Sequence, residues 1–523
     1  MIAAVAPENL KEWLHDGAEI ALLDVREAGQ FGESHLFFAV PLPYSRLELD
    51  APRLLPRLAT RIVVYDDGIL GVARPAAERL AAMGYSNVSV LEGGTRAWKD
   101  AGLKLFAGVN VPSKAFGELV EMRYHTPRIT AQRLAKMLEG REDVVVLDGR
   151  PLGEYRKMTI PGSRCCPNGE LAWRIGEIVR DESTPIVVNC AGRTRSIIGA
   201  QTLINFGVAN PVYALENGTQ GWFLADFALE HGAERRYPEV AESTDAQALR
   251  ARAEALARRH GVRYVDDDEV ARWLADASRT TYLCDVRTPD EFARGSLPGA
   301  VNAPGGQLVQ ATDQWVAVRH ARIVLIDSEG VRAPVVASWL LQMGHDAVVL
   351  RDGIASRVAA PAAKAALPAV REITAKALAS GNATVVELRP SMAYRDAHIP
   401  GSLWSIRPRL EEVRASIRGP VVLVADEPGV ARIAAADLAR AGVNDIAMLQ
   451  GGFEAWRASG LPVEASPGEP PDARCIDYLF FVHDRHDGNK AAARQYLAWE
   501  TQLLSQLDER ELAAYRLPSE HAA

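Results

Sequence analysis

Cysteine is scarce in this chain: five among 523 residues, at positions 165, 166, 190, 284 and 475. So few, odd in number and unevenly spaced, do not make a secreted disulfide framework, and a reducing, cytoplasmic setting is expected. No apolar run reaches eighteen residues, which argues against a membrane-spanning helix or a membrane partner. The opening MIAAVAPENLKEWLHDG lacks the basic-then-apolar order of a secretory signal. Positive charge is in deficit too: a net charge of -8 argues against nucleic acid as the main partner. Neither G-x-G-x-x-G nor G-x4-G-K-[ST] occurs, so no nucleotide loop is expected. Cys475 is followed by His483 and His486, but without a second cysteine the set is not zinc-like. No metal and no cofactor are expected.

What the chain does contain centres on residues 186–196, IVVNCAGRTRS. The β-branched run predicts a strand ending at Cys190, and Ser196 onward reads as a helix with apolar residues at helical spacing. A cysteine between a strand and a helix N-terminus faces loop amides and the positive end of the dipole, both of which favour its thiolate. Arg193 and Arg195 add two cations, and no acidic residue lies between Glu182 and Glu216 to cancel them nearby in sequence.

The chain is also one unit written four times. An acid with Arg two residues later follows an apolar run at Asp24-Val-Arg26, Asp148-Gly-Arg150, Asp285-Val-Arg287 and Glu387-Leu-Arg389. Thirteen residues after the acid, three copies place Pro161-Gly162, Pro298-Gly299 and Pro400-Gly401. A second apolar strand ends at Asp66, Cys190 and Asp327, and in a slightly shorter fourth copy at Asp426. Gly turns follow at 91–94, 215–218, 350–353 and 449–452, and Trp98, Trp222 and Trp456 stand four residues past three of them. Each unit reads helix, strand, loop, strand, helix, strand, Gly turn, helix, which implies a parallel sheet flanked by helices. Functional loops of such sheets lie beyond the strands' carboxyl ends, where Cys190 falls.

These motifs together resemble the rhodanese (sulfurtransferase) domain, repeated over nearly the whole chain. The expected fold class is therefore α/β: four tandem rhodanese-like modules at 1–107, 128–232, 262–358 and 369–465, with a helical C-terminal tail at 466–523. Residues 108–127 read as a connector with a short amphipathic piece, 240–260 as a linker helix or solvated spacer, and SPGEPPD as a flexible break. The tail helix containing Tyr496, Trp499 and Leu503 is expected to pack against a module, and Thr130 to cap a helix.

The nucleophile position separates the copies. Only the second has sulfur there; the others carry Asp66-Asp67-Gly68, Asp327-Ser328-Glu329 and Asp426-Glu427-Pro428, whose carboxylates would repel an anionic donor. Modules one, three and four are expected to be inactive. Four residues separate Cys190 from Arg195, one fewer than in the C-x5-R loop that phosphatases resemble. The resemblance implies a thiosulfate sulfurtransferase-type enzyme: Cys190 is the nucleophile, and Ala191, Gly192, Arg193, Thr194 and Arg195 hold a small anionic sulfur donor. Cyanide, a thiol or a protein cysteine is the implied acceptor. Asp148 and Arg150 are expected to form a structural ion pair. The alternative is a persulfide carrier or regulatory protein that hands sulfur to a protein partner, and a homodimer stays open. Cys284 is expected in the core, and Cys165-Cys166 on a surface loop, incidental rather than a sulfur relay. His35 and His398 share no position with the second and third copies, where Thr159 and Ser296 stand instead, so no common catalytic role is expected.

Overall fold

A computed structural model describes residues 2–241, 244–362, 364–480 and 488–518. The chain forms four five-stranded sheets, each ordered first, fifth, fourth, second, third when strands are numbered within the module. All ladders are parallel, as helical crossovers require. In the second module the strands are Arg128–Ile129, Val145–Asp148, Arg164–Cys165, Ile186–Asn189 and Val212–Leu215. The central Ile186–Asn189 strand is buried at every position, because helices cover both faces. Sequence periodicity finds three strands per unit and misses the first and third. These are two or three residues long, too short to display a period.

The acid of each D-x-R motif ends the second strand and pairs with the last residue of the fourth: Asp24 with Tyr65, Asp148 with Asn189, Asp285 with Ile326, Glu387 with Val424. The next residue is the nucleophile position. It holds Asp66, Cys190, Asp327 and, in the fourth module, Ala425. The last assignment corrects the expectation of Asp426, since the fourth strand spans Val421–Val424. The Gly turns agree. Gly94, Gly218, Gly353 and Gly452 have positive φ, and a Cβ on them would lie 2.3, 2.3, 2.1 and 2.5 Å from the carbonyl oxygens of Asp66, Cys190, Asp327 and Ala425. Three modules close with a tryptophan whose indole N–H donates to the carbonyl six residues on: Trp98 to Lys104, Trp222 to Ala228, Trp456 to Pro462.

The described chain divides into two compact units. One holds the first and fourth sheets. There Arg407 Nη1 donates to Tyr44 O at 2.8 Å, and its Nη2 donates to Glu48 at 2.7 Å. In the same unit Ser466 N–H donates to Arg395 O, and Arg395 reaches Asp472 at 2.6 Å, so the start of the tail is tied down rather than a flexible break. The other unit holds the second and third sheets. Arg332 of the third module is buried among Glu170 of the second at 2.9 Å and Glu291 and Glu329 of its own, at 2.7 and 2.6 Å. Helix Ala246–Arg259, far from being a solvated spacer, buries Ala253 and Leu256 against Ala172, Phe206, Val331 and Val335. The tail contributes helix Lys490–Thr501 to this unit, with Tyr496 and Leu497 buried. Among the described residues no helix is long and apolar enough to cross a membrane.

Candidate active site

Cys190 stands one residue past the central strand and four before helix Thr194–Asn205. The loop is locked from behind: Thr219 N–H donates to Cys190 O at 2.8 Å and Gln220 N–H to Ala191 O at 3.2 Å. The cysteine is 2% exposed, and Ser196 Oγ lies 3.1 Å from Sγ. Ser196 was not singled out from sequence, although a hydroxyl in the first turn of the following helix was a usable signal.

The third module reveals what this loop geometry holds. There the nucleophile position carries a carboxylate, and Asp327 accepts from the backbone N–H groups of Gly330, Val331 and Ala333 at 2.9 Å each. The corresponding amides of the second module are those of Arg193, Thr194 and Ser196. In the first module Asp66 likewise accepts from Gly68, Val72 and Ala73. Amides converging on one point form an anion-binding concavity. In two modules the chain's own aspartate fills it, and in the second the sulfur of Cys190 stands in its place.

The arginines behave differently from the sequence expectation. Arg193 is 8% exposed and turned toward helix Val111–Tyr124, where it pairs with Glu118 through Nε and Nη2 at 2.7 and 2.9 Å, and also with Glu121. Arg195 is bidentate with Glu154, at 2.8 Å on both branches. Burial opposes its charge, but Glu154 and Cys190 more than offset this and hold Arg195 above the ordinary arginine range. The positive field expected around the cysteine is therefore largely cancelled by Glu118, Glu121 and Glu154. These acids are remote in sequence, which is why the empty interval between Glu182 and Glu216 misled. Burial, helped by Glu500 and Glu121 and opposed by Arg193, raises the Glu118 carboxyl above its usual value. Residues 108–127, expected as a connector, thus supply a fourteen-residue helix that braces the loop. Glu118 and Glu121, one turn apart on that amphipathic piece, were its only sequence signal.

The tail adds a further group. Glu500 Oε1 accepts from Thr194 Oγ1 at 3.0 Å. Lys114 lies over the rings of Tyr496 and Trp499, at 5.0 and 4.7 Å, which fixes the tail helix beside the loop.

Asp148 and Arg150 form a buried pair behind the loop, Nε to Oδ1 2.9 Å and Nη2 to Oδ2 2.7 Å. Thr159 and Asn189 also donate to Asp148, and Arg150 reaches Met158 O. The same pair recurs in the other modules, each arginine reaching the carbonyl eight residues on. Cys165 and Cys166 are buried, Cys165 within a strand, not on a surface loop. Burial, then the Asp148 charge, pushes the Cys165 thiol up to about 12, and burial pushes Cys166 well up, so both are poor nucleophiles. Cys284 is core. His35 and His398 are buried with Nδ1 on the carbonyls of Phe31 and Tyr394, while Thr159 and Ser296 donate to their module's acid. His483 and His486 lie outside the described residues, among which no metal-ligand group of three occurs.

Fold and site define a class: a tandem parallel α/β protein with one cysteine set at the mouth of an anion-binding loop. The chain belongs to the rhodanese-like domain family, whose model matches residues 6–101, 130–225, 266–360 and 371–459. It is similar to the crystal structure of thiosulfate sulfurtransferase from Pseudomonas aeruginosa, with TM-score 0.92 and 42% identity over 99% of this chain and 100% of that one. Thiosulfate sulfurtransferase GlpE of Pseudomonas fluorescens is 35% identical over 98 residues, 18% of this chain and 89% of that protein. The uncharacterized protein slr1261 of Synechocystis sp. is 34% identical over 108 residues, and the chain spans 58% of its length.

Proposed function

We propose that the second module is a sulfurtransferase in which Cys190 accepts sulfane sulfur from thiosulfate or a similar donor and passes it to a thiophilic acceptor. The observation that carries this reading is the amide concavity, filled by aspartate carboxylates in the first and third modules and open to sulfur in the second. The thiolate attacks the donor's outer sulfur. An S–S bond to Cys190 forms, the donor's S–S bond breaks, and its electron pair leaves with sulfite. The persulfide's outer sulfur then lies where the loop amides converge, as an oxyanion does in its hole. An acceptor nucleophile takes that sulfur and returns Cys190 as thiolate, a ping-pong scheme. Because Arg193 and Arg195 are engaged by carboxylates, we assign them to bracing the loop and leave the donor's anionic end to the loop amides, those of Arg193, Thr194 and Ser196 among them. Asp148 and Arg150 hold the layer beneath. Modules one, three and four, without sulfur at the position, serve as scaffold.

The carrier alternative, with delivery to a protein partner, is less well supported, since a cysteine only 2% exposed favours a small donor. Intact mass after incubation with thiosulfate tests the reading. Native protein gains one sulfur atom and Cys190→Ser gains none; absence of the gain in native protein overturns it.

A further inference from the structure

The sulfur-transfer scheme leaves two buried groups beside the loop unused. Gln220 is 3% exposed, yet neither Oε1 nor Nε2 of its amide has a hydrogen-bond partner. Glu500 is 2% exposed and spends Oε1 on Thr194, while Oε2 has no partner. A buried polar atom that nothing meets is destabilising, so these groups call for a partner. Both border Gly192, where a Cβ would stand 2.9 Å from Glu500 Oε2 and 3.9 Å from Gln220 Nε2. Gln220 also lines a cavity of about 430 Å³ walled by Met158, Phe223, Phe227 and Leu229, with Lys490 of the tail helix. That volume lies within the span of small-ligand pockets, roughly 300–1,000 Å³.

The chemistry of these groups is selective. A side-chain amide with both ends unpaired complements another amide: Nε2 donates to a carbonyl while Oε1 accepts from an N–H. Glu500 Oε2 accepts a further N–H, and the aromatic and aliphatic walls take a hydrocarbon side chain. Resting on the Cys190 persulfide reading, we propose that this subsite positions the sulfur acceptor, and that the acceptor is a small peptidic thiol: a cysteine flanked by peptide bonds, with an apolar neighbour seated in the cavity. The acceptor enters as thiolate, its proton released to solvent, and attacks the persulfide's outer sulfur. The acceptor's S–S bond forms as the Cys190 S–S bond breaks, the electron pair leaves with Cys190, and no external oxidant or reductant is consumed. Gln220 and Glu500 are positioning residues in this scheme. The tail, outside all four family matches, completes the site.

The test uses the full chain and two capped tripeptides, Ac-Ala-Cys-Phe-amide as acceptor and Ac-Ala-Ser-Phe-amide as a ligand that cannot take sulfur. The serine peptide binds native protein in calorimetry, and Gln220→Leu weakens it about tenfold, the worth of one to two hydrogen bonds. Turnover of the cysteine peptide relative to 2-mercaptoethanol falls about tenfold in the same variant, through KM rather than kcat. Gln220→Glu, which keeps the volume and loses the donor, reproduces the loss if Gln220→Leu fails to fold. No binding by native protein, or equal binding by a folded variant, overturns the proposal. Peptide binding without sulfur loading at Cys190 would instead strike the sulfur-transfer reading alone.

Discussion

Cys190 and Asp327 occupy the same point of two related modules, and comparing them isolates what a nucleophile needs there. The third module keeps the amide concavity and an arginine with its glutamate, Arg332 with Glu291, where the second has Arg195 with Glu154. Of the seven loop positions only that arginine matches; the differences include the aspartate itself and Glu329, which stands where the second module has Gly192. Burial and the neighbouring Glu329 charge raise the Asp327 carboxyl above its usual range. The same neighbour would oppose a thiolate. In a Cys190→Ser background, Asp327→Cys alone is therefore expected to take up no sulfur from thiosulfate, and Asp327→Cys with Glu329→Gly to take up one atom, read by intact mass. Gly218 makes a second prediction at this scale. Its φ of +55° and a would-be Cβ 2.3 Å from Cys190 O leave no room for alanine, so Gly218→Ala displaces the loop. We expect sulfur loading to slow at least about tenfold and stability to fall by about 1–3 kcal/mol, checked by stopped-time mass spectra and thermal unfolding.

At the scale of elements, the repeat is readable because all four copies keep an acid with an arginine two residues on and a closing Gly turn, and three of them a Pro-Gly pair thirteen residues after the acid, each tied to backbone geometry. The edge strands, two or three residues long, are invisible in sequence, since they are too short to show a period. The fourth module's position reads as Asp426 from sequence instead of Ala425 because that copy is shorter and its strand end cannot be counted from the acid. The braces of the site were hidden for another reason. Glu118, Glu121, Glu154 and Glu500 reach the loop only through tertiary packing, and nothing local in sequence marks Gln220. Thr130, by contrast, caps Ala131–Glu139 by accepting from Arg133 N–H at 3.2 Å, as its position before an apolar periodic run predicted. Helix Ala246–Arg259 is the element whose packing is most exposed to test. Leu256→Ala there is expected to destabilise its unit by about 2–5 kcal/mol in denaturant unfolding, where a solvated spacer would show almost none.

At the scale of the whole molecule, modules are grouped as nested pairs, the second with the third and the first with the fourth. The second and third meet through a buried arginine, Arg332, rather than through apolar contact alone. Glu291, despite burial, is held down to about 2 by that guanidinium. A carboxyl lowered by folding contributes stability that is full above its ordinary value of 4.5 and is lost as pH falls toward 2. The unit's melting temperature should therefore drop across that window. In Arg332→Met, Glu291 and Glu329 lose their guanidinium while Glu170 keeps Arg174, so the variant melts about 3–5 kcal/mol less stable at neutral pH. Its carboxylates then take up protons readily, and acid raises its melting temperature over the same window instead of lowering it. Equal acid sensitivity in both proteins would contradict this account.

The position of Glu500 carries a consequence for how the protein is made. The loop of Cys190 is synthesised more than three hundred residues before the helix that supplies Glu500 to it. A nascent chain can therefore complete two or three modules, and expose a finished sulfur-bearing loop, while the last group of that site is still untranslated. In the proposed scheme, the cysteine loop is therefore translated before the group that positions its acceptor, and a chain interrupted before residue 500 lacks the Glu500 contact to Thr194.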